Sequence, residues 1–446
     1  MASTGESTIQ SAEGYDLSRT LSIHSWLFLY SINGLNYYLA SEYFCFYMGN
    51  KMSLTNRFDI IIAGAGSAGL SLLREIQESP ELKGQQILLI DKEFNPDINK
   101  TWCFWEEPDN LVQSLIHHTW ERLEVRTSGH VSRERLNEFK YHCIKSKVYL
   151  SELLTRAKDD PRVHLLESGI NGFSSENDFG IVETDAGKFK APLVFQSVLR
   201  NPVHDPDLGV ETVLIQHFLG WEIETEQPVF DPGLATLMDF DIPQDHGFAF
   251  FYTLPFSENR ALIEYTLFSG DLLSKKQYEN EIRNYLSNRL GLSEEKYKIR
   301  QTEFGAIPME GREHPDWHCP HVYNIGSAGG ITKPTTGYTF IRIQKHSQEI
   351  VDALENGNPL PQAGVSSFRF RLYDIMMLLI LDKEPKKSVE IFEKLFKRSG
   401  FDRVFRFLAE ETHLLQELNI FSRLPYMPFF RSIFKNRKRI LHGAKL

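Results

Sequence analysis

The chain has little sulfur chemistry to offer. Its four cysteines, Cys45, Cys103, Cys143 and Cys319, are widely spaced, and no pair has the spacing of a redox motif or a metal knuckle. A reducing compartment is therefore expected. A clean membrane span is also missing. The nearest candidate, WLFLYSINGLNYYLASEYFCFY over 26–47, is interrupted by Ser31, Asn33, Asn36, Ser41 and Glu42. The same polar breaks, with a weakly charged start, disqualify it as a signal peptide. Nor is there an excess of basic charge. The 49 Lys and Arg face 59 Asp and Glu, a formal charge of -10, which argues against general nucleic-acid binding. No catalytic-serine elbow, kinase motif set or His-rich zinc pattern occurs. HPDWHCPH (314–321) crowds His314, His318, Cys319 and His321 together, but the spacing fits no standard zinc site. Pro315 and Pro320 make it read as a loop, and no metal is expected.

What remains is a chain of 446 residues with 41% apolar content, enough for a substantial core. Its 32 Phe and 17 Tyr favour a wide apolar cavity or interface. Residues 1–51 form a leader. It could be an interfacial anchor, a packed accessory segment, or an extension the fold does not need, since Met52 opens a short lead into the first strand.

That strand begins at Phe58. FDIIIAGAGSAGLSLLREI reads as strand, glycine turn and helix. Gly64, Gly66 and Gly69 make the G-x-G-x-x-G pattern: a tight turn, a backbone that can approach a pyrophosphate, and close helix–strand packing. Phosphates would sit on the helix N-terminus, where backbone N–H groups are unspent. A second apolar strand, QQILLIDKE, follows with Asp91 near its end, placed to accept hydrogen bonds from a ribose diol. Near the other end of the body, VYNIGSAGGITKPTTGYTFIRI supplies a strand, a second glycine-rich turn and a long helix. Gly326, Gly329, Gly330, Thr336 and Gly337 are candidates for the central phosphates and the flavin edge. Two phosphate-competent turns favour a long cofactor, FAD, over a nicotinamide.

Between these turns the pattern alternates. RVHLLESGINGF and FGIVETDAGKFKAPLVFQSV read as short strands. HFLGWEIETE, LATLMDFDI, GFAFFYTLP and ALIEYTLF read as the strands of an antiparallel or mixed sheet, one wall of a substrate chamber. In RALIEYT (260–266), Glu264 is a lone carboxylate in an apolar strand. It faces either water or a pocket. DLLSKKQYENEIRNYLSNRLG reads as a surface helix. The tail from Phe370 is helical, and IFSRLPYMPFFRSIFKNRKRI mixes aromatic with basic residues. That mixture suits an anionic membrane surface, or a helix-packing face.

The quoted motifs, with TWCFWE (101–106), QHFLGWEIET (216–225), LMDFD (237–241), FYTLPFSENRALIEYT (251–266), FGAIPM (304–309) and IGSAGGITKPTTGYTF (325–340), together resemble the flavin-dependent lycopene beta-cyclases of carotenoid-making bacteria. The resemblance runs from Phe58 to about Ile433. It implies an α/β fold: a Rossmann-like FAD-binding domain, a mixed or antiparallel-sheet substrate domain, and C-terminal helices. The boundaries expected are 58–200 and 301–360 for the FAD-binding domain, 201–300 for the substrate domain and 361–446 for the helical region.

The resemblance implies a redox-neutral cyclisation of the psi ends of lycopene to beta rings. Reduced FAD is needed, with NAD(P)H as external reductant. The family's essential acid matches Glu264, although many relatives carry a second acid where this chain has Tyr265. FLAEET (407–412) looks like a rival signature, but Glu410 and Glu411 read as helix surface. Asp239 of LMDFD is a secondary candidate for orienting or relaying the acid. Trp102, Trp105, Phe250 and Tyr252 are candidates for cation–π stabilisation or plain core. The implied partners are membrane-dissolved lycopene, an anionic membrane surface, and a reductase or other carotenoid enzymes. The implied location is cytoplasmic, peripheral on the inner face of the cell membrane. Two rivals use the same frame: an FAD-dependent lipid hydroxylase or prenyl reductase, and a non-catalytic prenyl-lipid carrier.

Overall fold

Ile60–Ala63 is a run of Ile ended by Ala, and all four side chains are buried. A strand buried on both faces belongs at the centre of a sheet with two covered sides. In a computed structural model, which describes residues 56–435 apart from 96–98, 107–109, 199–213, 310–313, 363 and 365, it does so. The 1–51 leader lies outside the described residues. The sheet order is Trp317–Cys319, Val322–Asn324, Leu193–Gln196, Ile60–Ala63, Ile87–Asp91, Val163–Glu167. Every pairing is parallel except the 317–319 edge. Part of HPDWHCPH, expected to be loop, is therefore strand. Trp317 and Cys319 pair with Tyr323 and Val322 and complete the sheet edge.

Strand parity decides what covers each face. Ile60 and Ile62 pack with the helices Ser67–Glu78, Ser146–Asp159 and Phe340–Asn356. Ile61, Leu88 and Ile90 pack on a small antiparallel sheet of Ile170–Glu176, Phe179–Thr184 and Gly187–Ala191.

The second large sheet has seven strands, in the order Tyr297–Met309, Leu214–Thr225, Arg260–Ser269, Phe248–Ser257, Leu234–Asp239, Arg122–Thr127, His130–Arg135. It is mixed, because 234–239 runs parallel to 122–127 while the other neighbours are antiparallel. One face is closed by the helix Lys275–Leu290, which buries Tyr278, Ile282, Tyr285 and Leu286. A Ser274–Gln277 capping box starts that helix, and left-handed Gly291 ends it. The other face looks onto the tail helices Phe368–Lys383, Pro385–Ser399 and Phe401–Leu408. Gly400, at φ 77°, breaks what the sequence presents as one long helix into the last two.

Candidate active site

The predicted cofactor residues fall into two neighbouring groups. At the first turn, a Cβ on Gly64 (φ 108°) would lie 2.2 Å from Ser197 Oγ, and one on Gly69 would lie 1.9 Å from the Gly64 carbonyl oxygen. Both positions demand glycine for reasons internal to the fold. Gly66 differs: a Cβ there meets nothing within 4 Å. It caps the helix 67–78 with extended backbone and no side-chain cap. The Ser67 hydroxyl is buried and has no hydrogen-bond partner among the described residues. These three features leave open space, unspent N–H groups and an idle hydroxyl at one helix N-terminus, which suits a pyrophosphate.

The late turn closes the opposite side. Gly326, at φ 61°, sits so near the first turn that a Cβ would be 2.7 Å from Ala68 Cβ. Gly329 is buried in the short helical turn Gly326–Gly329, and Gly330 ends it in left-handed conformation. The result is a cleft of about 240 Å³ bounded by Gly66, Ser67, Gly326 and Ser327. Asp91 lies beside it, and its carboxylate accepts the Ala65 N–H at 2.6 Å. That bond ties the end of the second strand to the glycine turn.

Thr336 and Gly337 line the neighbouring chamber instead. The Thr336 hydroxyl and the side-chain amide oxygen of Gln216 there are buried without partners among the described residues. Trp102, Thr339 and Phe340 line both spaces, so the cleft and the chamber share a wall built on the stacked Trp102 and Phe340 rings.

The chamber has a volume of about 480 Å³. Leu262, Glu264, Thr266 and Phe268 present one strand parity to it, with Phe250 and Tyr252 from the adjacent strand. Phe392, Phe396 and Phe405 of the tail helices face them. Trp105 stands outside this lining, stacked on Phe405 at 4.6 Å and edge-on to Tyr338 at 4.3 Å. Tyr141 bonds the hydroxyls of Tyr252 and Tyr338.

Glu264 is only 9% exposed. It accepts the Thr266 hydroxyl at 2.7 Å. Burial, and then the negative charge of Glu303, push its carboxyl up to about 8. Glu303 comes from the 297–309 strand and accepts the Thr101 hydroxyl at 3.1 Å. Burial raises it as well, while Lys145 and Lys100 oppose that rise. Sequence reasoning passed over Glu303, although it directly precedes FGAIPM. Only the register of three strands reveals that it meets Glu264. Tyr265 faces the opposite side of the sheet, against Phe251 and Tyr278. A carboxylate at that position would not face the chamber.

Two expectations need correction. Asp239 does not reach the chamber. It pairs with Phe251, on the helix-covered face, and its carboxylate accepts the Tyr285 hydroxyl at 3.0 Å and lies 3.2 Å from Arg289. The bulge between Thr236 and Asp239 breaks the alternation with chamber-lining Leu237 and turns Asp239 to the side away from Glu264. Glu410 is not helix surface. The helix 401–408 has already ended, and Glu410 stands at φ 64° with its carboxylate 2.8 Å from Lys333 Nζ. Burial opposes its charge, but Lys333, Ser366 and Arg342 hold it below the ordinary carboxylate value. Lys333 also pairs with Asp374 at 2.8 Å, so the KPTTGY loop is pinned to the tail helices by a buried cation. Glu411 is the exposed one, 3.3 Å from Lys345.

The family profile described as lycopene cyclase protein matches residues 59–434. Among curated relatives, the lycopene beta-cyclase of Paracoccus sp. is 29% identical over 84% of this chain and 96% of its own. That of Pantoea ananas is 28% identical over 63% and 71%. Solved structures share the fold at low identity. A flavoprotein/dehydrogenase from Cytophaga hutchinsonii has a TM-score of 0.53 at 12% identity, covering 87% of this chain and all of its own. A geranylgeranyl bacteriochlorophyll reductase-like protein from Thermoplasma acidophilum has a TM-score of 0.51 at 13% identity, over 87% and 98%. With its profile match spanning nearly the whole described body, the chain belongs to the lycopene cyclase family.

Proposed function

We propose that this enzyme is a lycopene beta-cyclase that closes the psi ends of lycopene into beta rings without net redox change. The observation that carries the reading is the place of Glu264, a buried carboxyl on the wall of an apolar chamber, where burial and the nearby Glu303 raise its pKa and favour its protonated form. Ring closure starts by protonating C2 of the terminal C1=C2 alkene. The C5=C6 pair attacks the resulting cation at C1, and a proton leaves C6. One proton enters and one leaves, so the product is an isomer. An acid with an ordinary pKa would be ionised at pH 7 and unable to donate. Apolar walls supply the upward shift and keep water from trapping the cation. Faces of Trp102, Phe250 and Tyr252 give it cation–π support.

The cofactor reading is FAD, on a Rossmann-like domain drawn from residues 58–200 and 301–360, less the inserted strands 122–127 and 130–135 and the strand 297–309, which belong to the seven-stranded sheet. Gly64, Gly66, Gly69 and Ser67 would hold the pyrophosphate, Asp91 the ribose, and Gly326, Gly329 and Gly330 the far side. Thr336 and Gly337 would meet the flavin edge from the chamber. Bound and reduced, FAD would supply negative charge beside the developing cation. NAD(P)H, directly or through a reductase, is the source of electrons.

The substrate reading is a membrane-dissolved polyene. Among the described residues no helix is long and apolar enough to cross a membrane. The last helix, Tyr426–Lys435, exposes Tyr426, Met427, Phe430 and Phe434. Beneath it lies an apolar cavity walled by Tyr373, Phe421, Leu424 and Phe429. The same four residues wall a second cavity, which reaches Thr335, Thr336 and Phe392 of the chamber. This string of apolar spaces supports entry from a bilayer on which the 426–435 helix rests. The basic run after Phe434 favours an anionic leaflet, the inner face of the cell membrane.

The test is turnover per flavin. With FAD pre-reduced and oxygen excluded, one flavin should yield many beta-ring products and leave nicotinamide unconsumed. Product that stops at one per flavin, or that tracks nicotinamide oxidation, would replace this reading with a reductase or hydroxylase.

A further inference from the structure

We infer that Glu303 is a positioning residue that keeps the proton on Glu264, acting across Gly220. The inference rests on the cyclase reading for its purpose and on strand register for its geometry. Gly220, in the 214–225 strand, pairs with Glu264 on one side and Glu303 on the other. The three positions form one row, so both carboxyl side chains rise on the chamber face. Gly220 has no side chain to separate them. A Cβ there would lie 3.0 Å from Leu262 Cδ1, 3.1 Å from Glu303 Cγ and 3.5 Å from Glu264 Cβ. Glycine weakens a strand interior, and here its place is explained by what leans over it.

Two carboxyl groups sharing a dry site do not both ionise; the pair holds one proton in common. The surroundings decide which partner is the anion. Glu303 has the Thr101 hydroxyl and feels the charges of Lys145 and Lys100. Lys145 is anchored to Thr101 at 3.1 Å and to Glu222 at 2.9 Å. Glu264 has the Thr266 hydroxyl and a weaker share of Lys100. Its other titratable neighbours, Cys103, Tyr252 and Tyr338, are neutral at pH 7, since burial raises all three. Charge therefore settles on Glu303 and the proton on Glu264. Glu303 donates nothing to substrate; its negative charge makes Glu264 hold a proton that burial alone would hold less firmly.

The test is the pH profile of beta-ring formation with pre-reduced flavin at matched flavin content. Glu303→Gln removes the charge while keeping the size. Its alkaline limb should move to lower pH by about one unit or more, the usual effect of a close charge. Gly220→Ala, which alters neither carboxyl, should move the limb the same way by pressing the pair apart. A loss of activity equal at every pH, with the limb unmoved in both variants, would overturn the inference. Infrared difference spectra read the proton without turnover. The protonated-carboxyl band that Glu264→Gln abolishes at pH 7 should fade at lower pH in Gly220→Ala and Glu303→Gln than in the parent. A band that titrates identically in all three would refute the pairing even if the parent made no beta rings, the outcome that would instead defeat the cyclase reading.

Discussion

Asp239 and Glu264 lie in the same sheet but on opposite faces. Asp239 is spent on Tyr285 and Arg289 beneath the covering helix, while Glu264 looks into the chamber. Glu264→Gln preserves size but cannot release a proton. It should fold and take up FAD, yet lose beta-ring formation by at least about 100-fold. Asp239→Asn should keep its turnover and instead lose about 1–3 kcal/mol of stability, the cost of weakening a buried charged hydrogen bond. Pigment analysis alongside denaturant unfolding separates the two. A silent Asp239→Asn that remains fully stable would reverse the assignment.

The glycines of the first turn should separate binding from folding. Gly66→Ala adds a methyl to open space, so the protein should fold and fail to take up FAD. Gly69→Ala drives a methyl into the Gly64 carbonyl and should damage the fold itself. Flavin titration, with circular dichroism as the folding control, reads both. Normal flavin uptake by folded Gly66→Ala would remove the pyrophosphate from this cleft.

Lys333 is 3% exposed and faces two carboxylates. Lys333→Met would strand Asp374 and Glu410 in the interior and should cost about 3–5 kcal/mol. Glu411→Gln, on an exposed contact, should change stability by under about 0.5 kcal/mol. Urea unfolding with an unchanged slope is the measurement. Similar midpoints for the two variants would mean the cation does not hold the loop.

The exposed aromatics of the last helix should matter for membrane but not for chemistry. Phe430→Glu together with Phe434→Glu should weaken binding to vesicles containing anionic lipid. Activity on detergent-dispersed lycopene should stay near that of the parent. Vesicle flotation and pigment analysis give the two readings. Unchanged flotation would place the docking surface elsewhere.

Much of this protein is legible in its sequence because local rules dominate there. Gly64, Gly66 and Gly69 between an Ile run and an amphipathic helix state a phosphate-competent turn, since backbone conformation is decided within a few residues. The alternation of RALIEYT puts Leu262, Glu264 and Thr266 on one side of a strand, because successive side chains point opposite ways. What parity cannot say is which side faces the chamber. That choice is made by whatever packs on the sheet: the helix 275–290 took one face and left Glu264 on the other. Asp239 could not be sorted from Glu264 because a bulge after Thr236 interrupts the alternation of its strand, and no local pattern announces it. Glu410 was misread because its partner Lys333 stands 77 residues away in sequence. Glu303 was missed because it meets Glu264 only through Gly220, across three strands whose register no local pattern records. The sequence by itself determined most of the strands and turns and set Glu264 within an apolar strand. The proton's environment was decided by the tertiary structure, because burial and charge proximity depend on residues brought together from distant parts of the chain.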